Sequence, residues 1–219
     1  MAISSIFNDV LGPVMRGPSS SHSAAACRIG LLLRQLMHEQ ITAIVVDYDP
    51  NGSLVPTHES QGTDMGLYGG LLGWEADDEQ MPHYRSALEK AGIETIVNYL
   101  DYEAPHPNYY RISISNQWIT HTLSAISIGG GMMEVLNIDG AEVSIFGDKY
   151  VVLIYGENLG LLRSILPDWA QRNLRLTTSF LEISTLIEFK KEEIAELESL
   201  PGVSNVCQLK PVVPILEGN

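Results

Sequence analysis

From Tyr150 to Leu209 the apolar pattern changes period in a fixed order, and that order restricts the fold more than any other feature of the chain. Runs rich in β-branched and aliphatic residues at 150–155, 174–181, 185–189 and 203–209 read as strands, and the spacing at 161–172 and 191–200 is helical. Strand, helix, strand, strand, helix, strand is the split ferredoxin-like βαββαβ arrangement, with two helices on one face of a small sheet. Pro167 falls inside the first of these helices and predicts a kink, because its ring removes a backbone donor and crowds the preceding turn.

The residues before this unit follow a different order. Gly17-Pro18-Ser19-Ser20-Ser21-His22-Ser23 is a polar turn sequence, followed by a helix with apolar residues at Ile29, Leu32, Leu33, Leu36 and Met37. Strands are expected over 41–47, 93–100, 109–115, 118–128 and 133–138, and helices over 63–74 and 79–92. Gly66, Gly69 and Gly70 weaken the first of these helices, Asn116-Gln117 makes a hairpin turn, and Gly129 to Gly131 breaks the pattern. The expected class is α+β, with a mixed α/β domain over residues 1–140 and a ferredoxin-like domain over 146–219. A chain of 219 residues suffices for two cores of that size.

Charge and cysteine usage narrow the function. The 13 Lys and Arg against 27 Asp and Glu give a net charge of −14, which opposes nucleic acid and anionic membranes, since binding a polyanion rests on cations displacing its counterions. No basic stretch precedes an apolar run near Met1, and no segment approaches about 18 uninterrupted apolar residues, so a cytoplasmic protein is expected. Cys27 and Cys207 are too few for a disulfide framework. They are also too few for an iron–sulfur site, which takes three or four thiolates, so no metal is expected on this chain.

The sharpest local signal is the row Ser19, Ser20, Ser21, His22 and Ser23, placed where a helix begins and its free N–H groups favour an anion. A capping turn with a solvated imidazole explains the same residues equally well. His106-Pro107-Asn108 follows Ala104-Pro105, so two prolines fix a His and an Asn in a stiff loop, or simply make a rigid connection. Thr63 and Asp64 read first as a helix cap, and Gly130 as a bend or a point of close approach to a ligand. Glu157 and Gly160 flank a strand-to-helix turn that could meet a ligand or a neighbouring subunit.

Taken together, Gly12-Pro13-Val14-Met15, Gly17 to His22, Arg28-Ile29-Gly30, Gly62-Thr63-Asp64, Gly69-Gly70-Leu71-Leu72, His106-Pro107-Asn108 and Ile126 to Gly131 resemble, in order, the beta chain of the iron–sulfur-dependent L-serine dehydratases. The resemblance implies an allosteric-substrate-binding-type domain followed by an ACT domain, assembled with a cysteine-rich alpha chain that ligates a four-iron four-sulfur cluster. That cluster would act as Lewis acid on the substrate hydroxyl and carboxylate, and L-serine would yield pyruvate and ammonia. It further implies that the serine loop enters the partner's active site. His22 would then transfer a proton, with Ser19, Ser20, Ser21 and Ser23 around the substrate, His106, Asn108, Thr63, Asp64 and Gly130 binding it, and Glu157 and Gly160 serving regulation. A homodimer or heterotetramer is expected.

Three departures stand out. The family's His-Thr-Ala-Gly is His22-Ser23-Ala24-Ala25 here, its frequent His before Gly62 is Gln61, and the ACT-like segment is short between its second and third strands. These keep two other readings open, a dehydratase for another β-hydroxy amino acid and a stand-alone amino-acid-binding regulatory protein.

Overall fold

The computed structural model describes residues 14–37 and 40–213, so Gly12 and Pro13 of the first motif lie outside the described residues. Among these residues there are two sheets. The first is built from β1 (Ala43–Tyr48), β2 (Glu94–Tyr99), β3 (Tyr109–Ser115), β4 (Thr120–Gly129), β5 (Met132–Ile138) and β6 (Ala141–Ile145), in the order β2-β1-β3-β4-β5-β6. Only the β1 to β2 pairing is parallel, and the intervening chain supplies α2 (Thr63–Leu71) and α3 (Tyr84–Ala91). Along β3 the side chains alternate, placing Tyr110, Ile112 and Ile114 in the core, the period expected of a sheet with one packed face.

That face is covered by α1 (Ala25–Leu36) and α2, which lie against each other. The glycines that weaken α2 as an isolated helix are what allow this packing. A Cβ on Gly66 would stand 2.0 Å from the Ser23 carbonyl oxygen, and one on Gly70 2.0 Å from that of Cys27. Backbone therefore rests on backbone, and no side chain larger than hydrogen fits between.

The second sheet has the order β10-β7-β9-β8, from β7 (Tyr150–Gly156), α4 (Leu159–Ile165), β8 (Leu174–Leu176), β9 (Leu181–Thr185), α5 (Lys191–Glu198) and β10 (Val203–Leu209). The unbroken apolar run of β7 has a simple cause. Val151 and Leu153 join Ile29, Leu33 and Tyr110 in the larger core, while Val152 and Ile154 face a smaller core with Leu162, Ile194 and Leu197 of α4 and α5. Both faces of β7 are buried, so neither can be polar.

The structure corrects the sequence reading at four places. The run 174–181 is not one strand, and 185–189 forms none of its own, since β9 ends at Thr185. Thr177 folds back on Phe180, its Oγ1 accepting from the Ser179 and Phe180 N–H groups at 3.2 and 3.0 Å, and a hairpin separates β8 from β9. Pro167 ends α4 rather than kinking it, because the residue before a proline is forced out of the helical region and Leu166 is extended (φ −62°, ψ 142°). Asp139 (φ 50°) and Gly140 (φ 81°) form a tight Asp-Gly hairpin turn that joins β5 to β6. Finally, the serines do not cap α1, whose first residue follows Ala24 with no side-chain cap.

Candidate active site

Ser19 is extended (φ −143°, ψ 121°), and the chain then winds into one π-helical turn, Ser20–Ala24, closed by the Ala25 N–H donating to the Ser20 carbonyl. Single π-helical turns are rare and are frequent at functional sites. Ser19 Oγ lies 3.0 Å from His22 Nδ1 and 3.1 Å from Ser21 Oγ, and Ser21 Oγ lies 3.2 Å from the same nitrogen. The opposite nitrogen, Nε2, is 3.2 Å from Thr57 Oγ1.

Counting protons assigns the tautomer. Thr57 has one hydroxyl proton, and it goes to the Ser53 carbonyl 2.5 Å away. Thr57 can then only accept from His22, so Nε2 carries the imidazole proton and Nδ1 is the bare nitrogen facing Ser19 and Ser21. Burial lowers the His22 pKa below its usual value, which keeps the ring neutral and its lone pair available at neutral pH.

The other predicted loop is tied into the same cluster. The Ser53 hydroxyl reaches Asn108 Oδ1, and the Ser53 N–H donates to the Pro107 carbonyl at 2.8 Å. The Asn108 N–H donates to His106 Nδ1 at 3.0 Å, which holds His106 in one orientation. The Asn108 carbonyl accepts from the Ser127 N–H at 3.1 Å, and Ser127 Oγ donates to the Ser21 carbonyl at 2.7 Å. Residues 19–22, 53–57, 106–108 and 127 thus form one closed ring of hydrogen bonds. Arg28 donates to the Gly131 carbonyl and fixes the adjacent glycine turn, on which Gly130 is exposed.

No family model matches the chain. A protein of Bacillus subtilis (strain 168) described as "Probable L-serine dehydratase, beta chain" is 35% identical over 166 residues, 75% of this chain and 74% of that protein. An "L-serine dehydratase, beta chain" of Peptoniphilus asaccharolyticus is 33% identical over 158 residues, 70% of each. The chain belongs to the L-serine dehydratase beta chains.

Other predicted residues of this beta chain lie beside the ring or away from it. Ser23 is buried and donates its hydroxyl to the Gln61 carbonyl at 3.1 Å, so it braces the loop from below. Thr63 is wholly buried. Asp64 turns to His58, with both carboxylate oxygens 2.9 Å from Nδ1, and burial raises its pKa more than His58 lowers it. Glu157 and Gly160 are exposed around the start of α4, where Asn158 Oδ1 caps the helix by accepting from the Leu161 N–H. Thr57 and His58 escaped the sequence reading because neither sits in a recognisable motif. The only local signal was a His followed six residues later by an Asp.

The thiols of this beta chain do not fit an iron–sulfur cluster, which binds thiolates. Cys27 Sγ donates to the Trp74 carbonyl and Cys207 Sγ to that of Leu36, and burial pushes each thiol up to about 12. Among the described residues no group of three His, Cys, Asp or Glu side chains is placed to hold a metal ion. No helix among them is long and apolar enough to cross a membrane.

Proposed function

We propose that this chain is the beta subunit of a two-chain enzyme that converts L-serine to pyruvate and ammonia, and that its serine loop completes an active site shared with the alpha chain. The observation that carries the reading is the pair of contacts around His22, Ser19 and Ser21 on Nδ1 and Thr57 on Nε2. Dehydrating a β-hydroxy amino acid requires a base for the α-proton, and a neutral imidazole whose bare Nδ1 is held against two hydroxyls suits that task. A proton reaches Nδ1 through Ser19 or Ser21, or once they turn to bind the substrate carboxylate. Asn108, His106 and Ser53 hold the loop from behind rather than reacting.

The cluster belongs, in this reading, to a cysteine-rich alpha chain. Residues 146–219 act as an ACT domain and residues 1–140 as the allosteric-substrate-binding-type domain, within a cytoplasmic homodimer or heterotetramer. The test is co-expression with the cysteine-rich alpha chain and assay of pyruvate release from L-serine. Activity from the pair, and from neither chain alone, is the expected result. A cluster-loaded pair inert toward L-serine would overturn the reading.

A further inference from the structure

A second imidazole stands on the same turn as Thr57. His58 is buried, its side chain 9% exposed beside the 7% exposed side chain of Asp64, and its Nε2 lies 2.7 Å from the hydroxyl of Tyr99. The ring is 5.2 Å from that of Tyr48 and 5.8 Å from that of Tyr99. Tyr99 ends β2, the edge strand of the first sheet, and is 53% exposed.

With the imidazole neutral, His58 Nδ1–H donates to the Asp64 carboxylate, which only accepts, and the bare Nε2 receives the Tyr99 O–H. Carboxylate, imidazole and hydroxyl in this order form the relay that activates a hydroxyl in hydrolytic triads, with a phenol in the place of the serine. Asp64 and His58 are buried while Tyr99 is half-exposed, so the row of three groups runs from the core to the surface and ends on a hydroxyl that a ligand can reach.

We propose that Tyr99, acting through His58 and Asp64, is a second proton-transfer residue of the active site. This rests on the dehydratase reading, because turning serine into pyruvate removes a proton from one carbon and places one on the next. When the Tyr99 oxygen accepts a proton from the ligand, its own proton passes to His58 Nε2, and the imidazolium formed stays paired with the Asp64 carboxylate. The reverse transfer returns the proton to the ligand, so the residues end as they began. Tyr48, Tyr68 and Tyr110 face the pair from the core, and Glu59 and Arg85 from the surface, where they pair with each other at 2.9 Å.

The test is Tyr99→Phe in the complete two-chain enzyme, with Asp64→Asn as the second variant. Tyr99 is exposed, so its substitution leaves folding intact. Turnover falls by roughly 10²-fold or more in both, the scale of a lost acid–base group, and the pH dependence of kcat loses one titrating group. Wild-type turnover with an unchanged pH profile in Tyr99→Phe overturns the inference and leaves the dehydratase reading standing. An inactive wild-type pair overturns both.

Discussion

Thr57 Oγ1 accepts a hydrogen bond from His22 Nε2 at 3.2 Å while giving its own proton to Ser53, and this one contact decides which imidazole nitrogen can act as a base. Thr57→Val removes the acceptor and keeps the shape. With the tautomer no longer fixed, kcat drops by roughly 10- to 100-fold, the usual cost of losing an orienting partner, with a smaller change in KM. Thr57→Ser restores most of it. Steady-state kinetics on the paired chains check this, and equal kcat in the valine and serine variants would refute it.

His22→Ala is expected to lower turnover of the complete enzyme by roughly two to four orders of magnitude. Folded fraction and cluster absorbance should match the wild type. If the segment were only a turn, activity per folded enzyme would survive. Absorbance, circular dichroism and pyruvate release measured on one preparation separate the outcomes.

The pH dependence has a definite sign. Burial lowers the His22 pKa below 6.5 in the folded chain, so the unfolded chain binds the proton more readily. The contribution of His22 to stability is therefore complete above 6.5 and is lost as pH falls through the folded value. The base form likewise persists through neutrality, and its limb of kcat/KM lies on the acid side. Thermal melts of wild type and His22→Gln between pH 8 and pH 5 should diverge only in the lower half of that range.

Gly66→Ala tests the backbone contact beneath the loop. The added methyl would meet the Ser23 carbonyl at 2.0 Å, so α1 and α2 must separate. A loss of about 3 kcal/mol, the upper end of overpacking costs, is expected from urea unfolding. A midpoint equal to the wild type would show that the helices separate without strain.

The second half was legible in outline because βαββαβ leaves its periods in the sequence, and β7 was readable even though both its faces are buried. What failed there was local. Thr177 to Phe180 has no Gly or Pro to announce a turn, and the bonds that make it come from a threonine hydroxyl. The Asp139-Gly140 turn carries the Asp-Gly signal of a tight hairpin, and β6 after it is only five residues long. In the site, Ser19, Ser21 and His22 stood out as a row of like chemistry. Thr57 and His58 did not, because their partners lie 35 and 41 residues away and only the folded chain brings them together.

The helix that carries the site also touches the distant sheet. At its far end Gln35 Oε1 accepts from the Lys210 N–H, and the Leu36 carbonyl meets the thiol of Cys207 on β10. Its 12 residues make a rod about 18 Å long with the serine loop at one tip and the second sheet gripping the other. Seated on α2 by the close backbone approaches at Gly66 and Gly70, this one helix spans the distance between the serine loop and β10.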